Sequence, residues 1–195
     1  MFISLSSFAQ GTWTYAAPAD GSGSSGAETG RAICTDGSGN VYMMGNFGGT
    51  GTDFDMSAGT NIVVPSSTDG YIASYDKNGT FRWKAIIGGI AADFGLPSGA
   101  VCTNGTSVWL TASVGIGGAP QITDGTGSAT VISSTGALTD VLVMKLDCSN
   151  GALQWYKAFG SAVSNEHGQA ICLDPSNNCY VTGSYGGSFT LNSIT

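Results

Sequence analysis

Short apolar runs alternate with polar turns along the whole chain, and the turns are rich in Gly, Asn and Asp. The clearest example is the stretch 69–89, DGYIASYDKNGTFRWKAIIGG, in which two apolar runs flank the turn Asp-Lys-Asn-Gly. Alternation with a period of two around such a turn predicts a β-hairpin. No long segment has the 3.6-residue period of an amphipathic helix, so we expect an all-β protein.

The same hairpin recurs along the chain. Residues 140–161, DVLVMKLDCSNGALQWYKAFGS, repeat its opening Asp, its turn, its Trp and its closing Gly, and residues 11–17, GTWTYAA, repeat its second half. Trp13, Trp83 and Trp155 are therefore equivalent positions, 70 and 72 residues apart. We expect each Trp to pack against the neighbouring unit, with Phe81 on the face of Trp83 and Leu153 on the face of Trp155.

A second type of hairpin comes before the first in each unit, at residues 27–45, 99–112 and 169–183. Cys34, Cys102 and Cys172 occupy the same place in these three hairpins. A small buried side chain is the expected role at this place. Cys172 and Cys179 also flank a short turn, which makes them candidates for a disulfide in an oxidising compartment.

These repeats predict the organisation of the chain. Residues 1–10 have the composition of a signal-peptide remnant. The remainder divides into the last strand of one blade with a loop, a first repeat, a second repeat and a partial third repeat, at 11–26, 27–91, 92–161 and 162–195. Four or more strands in about 70 residues predict β-propeller-like blades.

Two full and two partial blades are not enough to close a ring alone, so we expect open sheet ends. Unpaired strand edges favour self-association by strand complementation between chains. Head-to-tail addition that does not close would give a filament.

The repeated motifs resemble a known family. Gly-Asn-Val-Tyr followed by Gly45, then Asp-Gly-Tyr-Ile-Ala-Ser-Tyr-Asp and Gly-Thr-Phe-Arg-Trp, resemble the SBBP-type β-propeller repeat of secreted bacterial proteins. The resemblance covers nearly all of the chain after residue 10. It implies a bacterial extracellular or cell-surface propeller, which is often part of a larger protein, and it brings no catalytic residues.

Charge narrows the range of partners. The chain has 6 Lys and Arg against 13 Asp and Glu, for a net charge of −7. This charge would repel nucleic acid. No apolar run approaches the roughly 20 residues that span a bilayer, so we do not expect a membrane-spanning protein.

The residues capable of catalysis do not form a recognisable set. His167, the single histidine, follows Glu166, and the repeats place Thr29 and Phe94 at the position of His167. A position that accepts Thr and Phe favours a structural role. The acid before it recurs as Glu28, Asp93 and Glu166, which suits bonding to turn amides. With no nucleophile–base pair visible, we expect no enzyme activity.

Cofactor and modification sites are equally sparse. The spacing Gly21-x-Gly23-x-x-Gly26 lacks the following helix of a dinucleotide site. The turns that begin at Asp76 and Asp147, and the pair Asp53 and Asp55, offer oxygens to Ca²⁺, yet Asp and Asn-Gly turns form without metal. We therefore expect no cofactor. Asn78 and Asn104 are candidate N-glycosylation acceptors.

The sequence thus predicts a non-catalytic extracellular or cell-surface protein with a structural or adhesion role, a repeat protein that self-associates and binds a glycan or another surface ligand. The alternative is a binding propeller that forms part of a larger secreted enzyme acting on polysaccharide.

Overall fold

The computed structural model describes residues 20–21, 28–49, 51–55, 60–65, 68–88, 99–115, 120–133 and 138–187. These residues form β-strands and no helix, which confirms the all-β prediction. The predicted signal-peptide remnant, the predicted strand of Trp13, and Asp93 and Phe94 lie outside the described residues. In chain order the strands are β1 (Asp20–Gly21), β2 (Thr29–Thr35), β3 (Val41–Phe47), β4 (Thr52–Asp53), β5 (Ile62–Val63), β6 (Asp69–Tyr75), β7 (Phe81–Gly88), β8 (Gly99–Thr103), β9 (Ser107–Val114), β10 (Gln121–Thr123), β11 (Ala129–Val131), β12 (Asp140–Asp147), β13 (Leu153–Phe159), β14 (His167–Leu173) and β15 (Cys179–Ser184).

The strands form several antiparallel sheets, and none of the described sheets closes on itself. In the first repeat, β2, β3, β6 and β7 are neighbours in that order; in the second, β8, β9, β12 and β13 follow the same order. We call these sheet 1 and sheet 2. In the third repeat, β14 and β15 pair as β2 and β3 do. β8 contacts both β2 and β14, so the first strands of successive repeats lie side by side.

The middle of each repeat forms a hairpin that leaves its own sheet. β10 pairs with β11 and also with β7 of sheet 1, where Ile122 lies opposite Ile87. β4 similarly pairs with β5 and with β1, which precedes the first repeat. The inserted hairpin of a repeat therefore binds the segment that comes before it.

Apolar side chains form three clusters. The first interface lies between the sheets and includes Tyr42 and Trp83 from sheet 1 with Leu110 and Leu142 from sheet 2. The second interface lies between sheet 2 and the β14–β15 hairpin, and joins residues such as Trp109 and Ile171. The back cluster involves the first repeat alone. We call the face of a sheet that is turned towards the next repeat its front, and the opposite face its back.

The third strand of each sheet is buried on both faces, as its continuous apolar sequence predicts. Tyr71 belongs to the back cluster and Ile72 to the first interface. Their counterparts Leu142 and Val143 lie in the first and second interfaces. Back and front positions thus correspond in the two sheets.

The fourth strand differs from the sequence prediction. Phe81 does not share a face with Trp83: Phe81 packs on the back cluster and Trp83 lies in the first interface. The cause is a β-bulge, because Ser74 pairs with Trp83 and Tyr75 with Phe81, which leaves Arg82 as the extra residue. A register shift in the same place of sheet 2 puts Leu153 on the first interface and Trp155 on the second.

Aspartate begins five of the described turns. In each turn, one carboxylate oxygen accepts the backbone N–H two residues later, at 2.7–2.9 Å. The aspartates are Asp36, Asp76, Asp124, Asp147 and Asp174. A left-handed residue follows in each, for example Gly79 at φ 86° and Asn177 at φ 65°. This geometry matches the predicted turns and explains their Gly and Asn residues.

A close contact explains the Asp and Gly at the two ends of the repeated hairpin. A Cβ atom on Gly88 would lie 2.3 Å from the carboxyl carbon of Asp69. A Cβ atom on Gly160 would lie 2.1 Å from Oδ1 of Asp140. Each buried aspartate therefore requires the closing residue of its hairpin to lack a side chain.

We expect Gly88→Ala to lower the free energy of unfolding by about 1–3 kcal/mol, because the added methyl group must displace a buried carboxylate. The matched control is Gly30→Ala, whose Cβ would meet no atom within 4 Å. Urea denaturation of both variants measures the difference. Equal midpoints for the two variants would contradict this explanation of the repeated glycine.

Candidate functional site

The two ends of the described structure expose positions that are buried between the repeats. Ile33, Val101 and Ile171 occupy the same back position on the first strand of their repeats. Val101 and Ile171 are 8% and 9% exposed, whereas Ile33 is 53% exposed. On the front of the second strand, Tyr42 and Trp109 are 0% and 7% exposed, whereas Tyr180 is 56% exposed. β3 and β9 are buried along their whole length, and β15 is mostly exposed.

The tryptophans that mark the repeat occupy corresponding places. The indole N–H of Trp83 donates a hydrogen bond of 2.9 Å to the carbonyl of Cys148 in the next repeat. Trp155 lies in the second interface, where its ring meets Trp109 edge-on at 5.4 Å between centroids. Lys145 lies 4.9 Å from the centroid of the Trp109 ring. Trp13 lies outside the described residues.

The equivalent cysteines differ in exposure according to what lies in front of them. Cys34 packs on the first interface and Cys102 on the second, and burial raises their thiol pKa values to about 12 and about 11. Cys172, expected to be buried, is instead exposed, since no described repeat follows it. These pKa values keep the Cys34 and Cys102 thiols protonated at neutral pH.

The structure does not contain the predicted disulfide between Cys172 and Cys179. Both are free thiols. Cys172 lies opposite Tyr180, and Cys179 lies opposite Leu173 and packs on the second interface. Adjacent pairs in an antiparallel ladder point to opposite faces, so the two thiols diverge.

The acid before the first strand accepts hydrogen bonds in both repeats where it is described. Glu166 is fully buried, and its carboxylate accepts hydrogen bonds from the backbone N–H and hydroxyl of Ser161, at 3.0 and 2.8 Å, and from the Ser164 hydroxyl. Burial raises its pKa, but these hydrogen bonds outweigh burial and the net pKa is lowered. Its counterpart Glu28 accepts a bond of 3.1 Å from Thr52. Glu166 thus bonds a backbone amide as the sequence predicts, whereas the partner of Glu28 is the hydroxyl of a residue in β4.

The remaining candidate residues lie apart from one another. His167 contacts the hydroxyl of Ser113 through Nδ1 at 3.1 Å. Asn78 and Asn104 are exposed on turns, where a glycan would have room, although the side-chain amide of Asn104 donates to Asn177 at 2.9 Å.

Aspartates proposed as calcium ligands serve their own turns. Oδ1 of Asp76 accepts the N–H groups of Asn78 and Thr80, and Oδ1 of Asp53 accepts those of Asp55 and Asn61. Within the described ranges, no three His, Cys, Asp or Glu side chains come together as metal ligands.

A polar groove lies where the inserted hairpin of the second repeat meets β7. Its volume is about 380 Å³. Arg82 and Lys84 of β7 line it on one side, and the turn 123–127 lines it on the other, with Asn61 and Phe81 also present. Because the two sides come from different repeats, sequence reasoning missed this groove. The sequence contains one indication of this groove: Arg82 and Lys84, two of the six Lys and Arg residues, are only two positions apart.

Asp124 fixes the shape of the groove. Its Oδ1 accepts bonds from the N–H and hydroxyl of Thr126 and from the N–H of Ser128, and its Oδ2 accepts the N–H of Leu153 at 2.9 Å. Burial opposes ionisation, but these bonds outweigh it and lower the pKa of Asp124. The turn is thereby attached to the first residue of β13.

The structure defines this chain as an all-β protein of stacked antiparallel sheets. No protein-family model, curated protein or solved structure matches the chain. No helix in the described ranges has the length and apolar character needed to span a bilayer.

We expect Asp124→Ala to lower the free energy of unfolding by about 1–3 kcal/mol, because it removes charge-assisted hydrogen bonds that connect the turn to β13. Asp124→Asn should lower the free energy of unfolding by less, because the amide oxygen of Asn can still accept hydrogen bonds. Because the folded-state pKa is lowered, the carboxylate stabilises the fold above the ordinary Asp pKa of about 4, and this contribution disappears as the pH falls through the folded pKa.

The measurement is urea denaturation of wild type and Asp124→Asn from neutral to acidic pH. The stability difference between them should shrink below about pH 4. Asp174→Ala, in a similar but exposed turn, is the control and should have a smaller effect. A difference that is constant with pH would contradict the assigned role of the carboxylate.

Proposed function

We propose that this protein is a non-catalytic structural or adhesion protein of the bacterial cell surface or extracellular space, whose propeller-like blades associate head-to-tail between copies. The observation that carries the proposal is that Tyr180 and Ile33 are exposed at opposite ends of the described structure, while their equivalents are buried between repeats. The β15 end thus offers the front of an interface, and at the other end Ile33 offers an exposed back position beside the buried back cluster.

The apolar character of these ends supports association with a second copy. On the front of β15 Tyr180 is exposed, and on the back of β2 Ile33 is exposed. A large apolar side chain that is exposed where its equivalents are buried favours an interaction surface. A second copy is the expected partner, because equivalent residues already pack against each other within the chain. Trp109 and Ile171, the equivalents of Tyr180 and Ile33, do so in the second interface.

Strand complementation would strengthen the contact. β15 has β14 on one edge and no strand on the other among the described residues, whereas β3 and β9 are paired on both edges. An open edge accepts a further strand through main-chain hydrogen bonds. A heterologous contact that does not close extends into a filament.

The localisation and the absence of catalysis are supported by sequence alone: the apolar first ten residues, the low content of charged residues, and the resemblance to secreted repeats. The alternative, a binding propeller within a larger secreted enzyme that acts on polysaccharide, is favoured by the polar groove beside β7. In that case further repeats of the same protein would cover Tyr180, and copies would not assemble.

The test uses charge substitutions at the two ends. We expect Tyr180→Lys and Ile33→Lys each to abolish assembly of the full chain, because each places a charge in an apolar contact. Val131→Lys is the control, since Val131 is comparably exposed but lies on the inserted hairpin. Light scattering after size-exclusion chromatography measures mass, and negative-stain electron microscopy shows whether filaments form.

Mixing the two variants separates head-to-tail contact from other modes. Tyr180→Lys retains an intact back end and Ile33→Lys an intact front end, so the mixture should form dimers and stop there. A wild-type chain that stays monomeric, or assembly that survives both substitutions, would rule out the proposed association.

A further inference from the structure

A lysine and an asparagine side chain meet at the groove beside β7. The amino group of Lys84 contacts Oδ1 of Asn61, and the carbonyl carbon of that amide is only one C=O bond, about 1.2 Å, beyond the oxygen. Asn61 comes directly before β5 in the inserted hairpin of the first repeat, whereas Lys84 lies in the middle of β7. The fold therefore brings an amine and a carboxamide together from two separate elements.

The surroundings of Lys84 favour the neutral form of its amine. Phe81 and Ile86, which share the back face of β7 with Lys84, pack on the back cluster, and Nζ lies 5.9 Å from the centroid of the Phe81 ring. Burial lowers the pKa of Lys84, and Asp53 opposes this change through electrostatic attraction. Because desolvation disfavours the ammonium, a larger fraction of the lysine is the neutral amine, which is the form that attacks a carbonyl carbon.

A carboxylate neighbours both side chains. Oδ1 of Asp53, in β4, accepts the backbone N–H of Asn61 at 2.8 Å, and the charge of Asp53 acts on Lys84. A carboxylate in this position can take a proton from an attacking amine and deliver it to a leaving nitrogen. The three residues thus supply a nucleophile, an acyl group and a proton carrier.

We propose that Lys84 and Asn61 form an intramolecular isopeptide bond. Nζ of the neutral lysine attacks Cγ of Asn61; the bond between these atoms forms, the bond from Cγ to Nδ2 breaks, and Nδ2 leaves as ammonia. The proton that Nζ loses passes through Asp53 to Nδ2, so the step needs no oxidant, reductant or further reactant. Ammonia can leave through the groove, which both residues line. The bond would attach the inserted hairpin of the first repeat to the back of sheet 1, and this inference does not depend on assembly between copies.

The test is mass spectrometry of the purified full chain. We expect the denatured chain to weigh about 17 Da less than its sequence requires, because one ammonia is lost. Trypsin does not cleave after an acylated lysine, so a complete digest should contain residues 32–77 and 83–145 as one cross-linked species. Cyclisation at an Asn-Gly site such as Asn78 also releases ammonia, but it links no peptides.

Variants assign the roles of the three residues. Lys84→Arg and Asn61→Ala should each restore the mass that the sequence requires, because neither variant can form the bond. Asp53→Asn keeps an oxygen for the N–H of Asn61 but cannot carry the proton, and it should lower the linked fraction by about tenfold or more. Lys157→Arg on β13 is the matched control and should be linked as fully as the wild type.

Thermal midpoints verify that the variants fold, and the wild-type digest decides the result if one of them does not. Separate wild-type peptides 32–77 and 83–84 would overturn the proposal, since the contact would then be a hydrogen bond only. A mass loss that persists in Lys84→Arg would also overturn it, and full linkage in Asp53→Asn would overturn the role of Asp53.

Discussion

Packing of the front of one sheet against the back of the next is the interaction on which the structure depends. Sheet 1 buries Trp83, Ala85 and Ile87 against the back of sheet 2. Sheet 2 in turn buries Trp109 and Val143 against the third hairpin. Large aromatic side chains contribute most of the apolar area in such contacts. A sheet that is apolar on both faces needs a neighbour on each side, and exposure at Ile33 and Tyr180 shows the two places where the described neighbours end.

The inserted hairpins reinforce this packing from the rim. β10 extends sheet 1, while Asp124 and Val131 of the same hairpin accept hydrogen bonds from Leu153 and Tyr156 in sheet 2. One hairpin thus connects two sheets and forms the wall of the polar groove. The groove and the stacking are consequences of the same arrangement, because the groove exists only when two consecutive repeats are docked.

Local features could be predicted from the sequence, while features that depend on neighbours could not. The Asp-containing turns and the opposite faces of Tyr71 and Ile72 follow from residue type and a period of two. Phe81 was misplaced because a bulge at Arg82 breaks that period without any Gly to indicate it. The exposure of Cys172 could not be read from its equivalence to Cys34, since exposure depends on what packs in front. The groove was missed for the same reason: Lys84 and Asp124 belong to different repeats.

Native-state hydrogen exchange, measured over a range of protein concentrations, tests the stacking most directly. Stacking of the sheets predicts slow exchange, at similar rates, for the amides of β3 and β9, which are buried along their whole length. It predicts fast exchange for β15 in dilute solution, slowing towards the rate of β9 as the concentration rises. Fast exchange in β9, or protection of β15 that does not vary with concentration, would contradict the view that each sheet is stabilised by the next.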